Sequence, residues 1–219
     1  SGHGEAYHLK AGGEANWGNM ARALAKIEED RRQGVAVSAN MYTYTAGSTG
    51  FDAAMPLWVQ AGGLEAWVAR LQDPPQRARV IEEMRNPPAG EENLFRTAGS
   101  PERVLLVGFK SPALKPLTGK TLADVMKMRG TSAEDTIVDL VIEDNSRVQV
   151  IYFLMSEENV KLGLSQPWVS LGSDAEALAP EGVFMKSSTH PRAYGNFARL
   201  LGKYSRDEKL MPLEEAIRR

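Results

Sequence analysis

The chain has no cysteine among its 219 residues. That excludes a disulfide framework and any thiolate-ligated metal within it, and leaves His, Asp and Glu as the side chains able to ligate one. A long apolar run is also missing: nothing approaches the roughly 18 residues of a membrane-spanning helix, and no basic-then-apolar segment opens the sequence. Neither sign of charge dominates. The 26 Lys and Arg against 28 Asp and Glu leave a formal net charge of -2, with the charges interspersed, which argues against a nucleic-acid or anionic-membrane partner because phosphate binding needs a concentrated basic surface. What remains, 42% hydrophobic and 25% charged, is ordinary globular material, enough for one large domain. We expect a soluble, cytoplasmic protein with no nucleic-acid or membrane partner, and set Ser1-Gly2 aside as an expression remnant.

Strand and helix signals alternate at both ends of the chain. A short strand at Ala6 to Leu9 leads through the glycine-bearing loop 11–18 to a helix from about Asn19 to Arg32. Its Met20, Ala23, Leu24 and Ile27 share one face, and Gly34 suits a left-handed helix end. Val35 to Tyr44 comes next as a buried strand ending in a turn at Ala46-Gly47-Ser48, giving a βαβ unit. Helices are expected around Leu64 to Leu71, Val80 to Met84, Leu122 to Met126 and Ala133 to Val141, with strands at Val104 to Phe109 and Val148 to Met155. Gly119-Lys120-Thr121 is not a phosphate loop, because Leu114 stands where that motif requires glycine. The alternation implies an α/β fold with a parallel sheet covered by helices. With four or five strands, against eight over about 250 residues for a (β/α)8 barrel, the chain is an open sheet or a barrel fragment.

The chemistry concentrates where strands end. The run Pro167 to Asp174 is a strand that stops at a lone carboxylate, and His8 and Tyr42 close two other strands. Carboxyl ends of buried strands are where α/β folds place active sites. Asp174 could instead simply be an N-cap for the segment after it. His8 and Asp174, with His190 on a nearby loop as a third donor, could ligate a cation such as zinc. Lys10, Tyr42, Ser48 and Arg192 suit recognition of a carboxylate, Arg through its fixed fork of donors. The stretch Ala175 to Thr189 is long enough for a lid or site loop.

Four motifs then make the sequence recognisable. Tyr7-His8-Leu9-Lys10-Ala11-Gly12-Gly13 with Asn16-Trp17-Gly18, Tyr42 through Gly50, Gly172-Ser173-Asp174, and His190-Pro191-Arg192-Ala193-Tyr194-Gly195-Asn196-Phe197-Ala198-Arg199 together resemble the D-aminoacylase (N-acyl-D-amino-acid deacylase) family of the amidohydrolase superfamily. The resemblance implies a zinc-dependent TIM-barrel hydrolase that cleaves the amide of N-acyl-D-amino acids. It makes His8 a metal ligand and Asp174 the catalytic acid and base, with Lys10, Tyr42, Ser48 and Arg192 holding the substrate carboxylate. Tyr7, Thr43 and Ala175 depart from the family's usual Ser, Pro and Gly.

The family's paired histidines, its bridging cysteine and another ligand histidine lie upstream of any match to Tyr7. Residues 1–219 therefore correspond to the later part of the barrel, with an irregular insertion at about 60–130. The chain is expected to need the missing amino-terminal half, or self-association, to cover its sheet edges. The alternatives are another amidohydrolase acting on a cyclic amide or ureide, and a non-catalytic truncated chain.

Overall fold

The computed structural model describes residues 3–186 and 188–219. The Ser1-Gly2 pair and Ser187, within the expected site loop, lie outside the described residues. In chain order the principal elements are β1 (His3–Ala6), α1 (Asn19–Arg32), β2 (Ala36–Met41), β3 (Ala46–Gly50), α2 (Leu57–Gln60), α3 (Leu64–Gln72), α4 (Pro74–Arg85) and α5 (Leu94–Ala98). Next come β4 (Val104–Gly108), α6 (Leu122–Arg129), α7 (Ala133–Asp144), β5 (Gln149–Phe153), α8 (Glu157–Leu164), β6 (Val169–Leu171), α9 (Arg192–Arg199) and α10 (Leu213–Arg218). A π-helical segment, Leu200–Asp207, continues α9. Among the described residues no helix is long and apolar enough to cross a membrane.

Two compact units divide the chain, the first comprising Ser1–Thr45, Leu154–Ala179 and His190–Arg219, the second Ala46–Phe153 and Pro180–Thr189.

The first unit is built on a parallel sheet of order β1-β2-β6. Ala6 pairs with Ala39 and Met41 with Leu171, so all three strands present their carboxyl ends along one edge. Helix α1 buries Met20 and Leu24 against the sheet's Ala39, Met41 and Val169, and Val160, Leu164, Trp168, Leu200 and Tyr204 complete this core. Helix α8 approaches β2 closely through Gly163, where a Cβ would stand 2.6 Å from Met41 Sδ. The first strand lies earlier than expected, at His3–Ala6, because His8 adopts a left-handed conformation (φ 53°) that ends the extended run.

The second unit holds an antiparallel sheet of order β3-β5-β4. Here the expectation of a single helix-covered parallel sheet fails. The residues Ala46-Gly47-Ser48, read as a turn, are the first half of strand β3, which pairs with Phe153, Tyr152 and Ile151 of β5. Helix α7 buries Ile137, Val138, Leu140 and Val141, and Arg77 of α4 bonds Asp135 and Asp139 on its exposed flank. At its end the Asp144 carboxylate accepts the backbone N–H groups of Lys110 and Ser111, which fixes the chain leaving β4.

Candidate active site

The carboxyl edge of the parallel sheet gathers His8, Lys10, Tyr42, Asp174 and Arg192 within the first unit. Asp174 lies three residues beyond β6 and is held from both sides: Oδ1 stands 3.1 Å from His8 Nδ1, and Oδ2 accepts from Arg192 NH1 at 2.8 Å. Both His8 and Asp174 sit at positive φ, 53° and 50°. For residues with a Cβ such conformations cost on the order of 1–3 kcal/mol and persist where the surroundings over-determine them. At His8 the cause is visible. Its backbone N–H donates to Asn40 Oδ1 at 2.9 Å, the next N–H, of Leu9, donates to the Asn40 carbonyl at 2.8 Å, and Asn40 Nδ2 is itself tied to Glu5.

Tyr42, the first residue past β2, lies flat under the cluster's cations, with Arg192 4.7 Å and Lys10 5.2 Å from its ring centroid. Its hydroxyl is buried and, among the described residues, finds no partner of hydrogen-bonding geometry. Burial pushes the Tyr42 pKa well above the ordinary tyrosine value; the nearby Arg192 cation works against this and the Asp174 carboxylate adds to it. Tyr42 is therefore a neutral, apolar floor with a donor to offer. Arg192 is itself buried, its side chain 7% exposed. A guanidinium has five N–H donors, so one bond to Asp174 leaves others for a ligand carboxylate.

His190 differs from its expected part as a third metal donor. It is buried, and its Nδ1 accepts the backbone N–H of Arg192 at 2.9 Å, with Tyr44 edge-on at 5.3 Å. That bond shapes the turn into α9. Ser48 belongs to the second unit, on β3, where its Oγ donates to the Val150 carbonyl at 3.1 Å.

Helix α9 carries its polarity inward. Arg192, Gly195, Asn196 and Arg199 fall at i, i+3, i+4 and i+7, one stripe. Arg192 reaches Asp174; Asn196 and Arg199 bond the Thr43 backbone. Gly195 leaves room for Tyr44, whose hydroxyl would collide with any Cβ there. The opposite side shows Tyr194, Phe197 and, in the π-helical continuation, Leu201 exposed.

Among the described residues no three His, Asp or Glu side chains come together to hold a metal ion. His8 and Asp174 are two donors and already face each other. A metal centre built from the described residues alone does not fit them.

No protein-family model matches the chain. D-aminoacylase of Alcaligenes xylosoxydans xylosoxydans is 36% identical over 120 residues, 53% of this chain and 22% of that protein. N-acyl-D-glutamate deacylase of the same organism is 26% identical over 210 residues, 96% of this chain and 32% of its own length. The chain resembles the D-aminoacylases along most of its length. It spans a third or less of the curated relatives it matches. A crystal structure of D-aminoacylase, described as defining a novel subset of amidohydrolases, superposes with TM-score 0.60 at 28% identity, over 97% of this chain and 33% of that one. The fold is shared as well with N-acyl-D-glutamate deacylase from Bordetella bronchiseptica, solved with zinc and a phosphonate that mimics the tetrahedral intermediate. There the TM-score is 0.64 at 24% identity, over 97% of this chain and 33% of the other.

Two buried amides hold the backbones of His8 and Thr43: Asn40, which stands outside the four motifs, and Asn196, which lies inside the fourth but carries no role there. A polar residue inside an apolar strand and another on a polar helix stripe were the available signals.

Proposed function

We propose that the chain is the later portion of a (β/α)8 amidohydrolase that removes the acyl group from N-acyl-D-amino acids, with Asp174 as its proton-transfer residue. The observation that carries the reading is the convergence of Asp174, His8 and Arg192 at the carboxyl edge of a parallel sheet, in a chain that resembles the D-aminoacylases over most of its length. Asp174 accepts a proton from the attacking water as its oxygen bonds to the acyl carbon, and delivers that proton to the amine nitrogen as the carbon–nitrogen bond breaks. The products are a carboxylic acid and a free D-amino acid. Arg192 and Lys10, with the Tyr42 hydroxyl, hold the substrate's carboxylate, so that its amide is presented to Asp174 in a fixed orientation.

Zinc, when bound, would supply a water of lowered pKa. His8 is the ligand this chain offers to it, and the remaining donors would come from outside residues 1–219. The test is hydrolysis of N-acetyl-D-amino acids and their L enantiomers by the chain and by any longer reading frame containing it. Turnover selective for the D series supports the reading. Cleavage of cyclic amides or ureides with no cleavage of acylated amino acids would replace it.

A further inference from the structure

We infer that Asn196 is a positioning residue that ties together the two segments carrying Tyr42 and Asp174. Its side chain is fully buried. Oδ1 accepts the Thr43 backbone N–H at 2.8 Å and the Thr43 hydroxyl at 3.0 Å, while Nδ2 donates to the Gly172 carbonyl at 3.3 Å. Thr43 is the residue directly after Tyr42, and Gly172 lies two residues before Asp174. One amide thus spans the ends of β2 and β6 just beyond their last ladder pair, Met41 with Leu171, where the Gly172 N–H still reaches the Met41 carbonyl at 3.1 Å.

The chemistry requires an amide. The Thr43 arm needs an acceptor and the Gly172 arm needs a donor, and among side chains of this size only asparagine presents both from one planar group. Position matters as much. Asn196 is one helical turn beyond Arg192, so α9 places the ion pair on Asp174 and the amide on its strand from a single rigid element. Thr43 is further secured by Arg199 Nε and the Tyr204 hydroxyl on its carbonyl, at 2.9 and 3.2 Å. The Gly172 arm has no such duplicate from α9. Loss of Asn196 should therefore loosen the segment leading to Asp174 more than the segment leading from Tyr42.

The tie stands on geometry alone; its bearing on catalysis rests on the role given to Asp174 above. The two substitutions Asn196→Asp and Asn196→Ala separate its arms. Aspartate keeps the acceptor for Thr43 and replaces the donor to Gly172 with an oxygen that repels the carbonyl; alanine removes both. Amide hydrogen exchange of the whole chain, monitored by mass spectrometry on peptides across 40–46 and 170–177, reads each arm. In Asn196→Asp, exchange should quicken roughly tenfold across 170–177 and stay near wild type across 40–46. In Asn196→Ala both should quicken, with β4 and β5 unchanged.

Identical profiles for the two variants, or an increase spread evenly over the chain, would overturn the proposal. If the alanine variant fails to fold, the aspartate profile decides alone. Activity does not enter this readout, so the tie stands or falls on the exchange profiles alone, and the catalytic reading is judged separately by hydrolysis assays on the longer reading frame.

Discussion

Asp174 and Arg192 form an ion pair at 2.8 Å in which the arginine is buried and the aspartate partly open. In the proposed reading a substrate carboxylate would meet the same guanidinium, so that it and Asp174 would share one cation. In a form that turns over substrate, Arg192→Lys should raise KM about tenfold or more, because an ammonium cannot reproduce the planar fork that serves two acceptors. Steady-state kinetics with N-acetyl-D-amino acids check this. Unchanged KM would remove Arg192 from the site.

Gly195 is required by its neighbour rather than by its backbone angles. A Cβ at this position would fall on the Tyr44 hydroxyl, and Tyr44 also packs against His190 and Arg199. Gly195→Ala should lower stability by about 1–3 kcal/mol, the usual range for forcing extra atoms into a packed contact. The double variant Gly195→Ala with Tyr44→Phe should recover part of that loss. Denaturant melts of the four proteins provide the cycle, and no recovery in the double variant would show that the clash lies elsewhere.

Tyrosine burial gives a pH signature. Tyr42, Tyr152 and Tyr204 are all raised, each first of all by burial; at Tyr204 the hydrogen-bonded Glu157 carboxylate raises it further. A group whose folded pKa lies above its unfolded value contributes stability that is intact below the unfolded pKa, about 10 for tyrosine, and lost as pH rises towards the folded value. Stability should therefore fall steadily above about pH 10, and Tyr42→Phe should make the fall shallower. Urea midpoints between pH 8 and 11 check this. A slope equal to wild type in the variant would mean that Tyr42 ionises freely in the folded protein.

The sequence made the first unit far more legible than the second. Helix α1 was readable to its boundaries because Met20 and Leu24 repeat at helical spacing and Gly34 marks the stop. Asp174 is legible because it is the lone carboxylate at the end of the apolar run Pro167 to Asp174, whose strand, Val169–Leu171, closes three residues before it. Strand β3 was opaque: Ala-Gly-Ser-Thr-Gly lacks the bulky β-branched pattern of a strand and is extended because β5, about a hundred residues away, pairs with it. His190 stays open in the sequence, as a third donor beside His8 and Asp174 or as a structural histidine, because composition cannot show that a backbone N–H claims its ring nitrogen. Asn196 was hidden for a related reason. On a sequence it is one more polar helix residue, and its meaning depends on two loops that only the fold brings to it.

The parallel sheet of the first unit ends in strands β1 and β6, each paired on one side only among the described residues. The same unit carries the exposed apolar stripe of Tyr194, Phe197 and Leu201. Such edges and patches favour association. Sedimentation velocity of the chain alone should show self-association that weakens in Phe197→Glu. A strictly monomeric, cooperatively folded chain at high concentration would contradict the expectation that these surfaces need cover.

In the proposed reading Asp174 is the proton-transfer carboxylate and most metal ligands lie outside residues 1–219. The most direct measurement is hydrolysis of N-acetyl-D-amino acids with added zinc, comparing wild type with Asp174→Asn, for the 219-residue chain and for any longer reading frame that contains it. The account predicts no turnover by the chain alone, and in the longer form zinc-dependent turnover that Asp174→Asn abolishes while fold and zinc content persist. Metal-dependent turnover by the chain alone, or turnover in the longer form that survives Asp174→Asn, would contradict it.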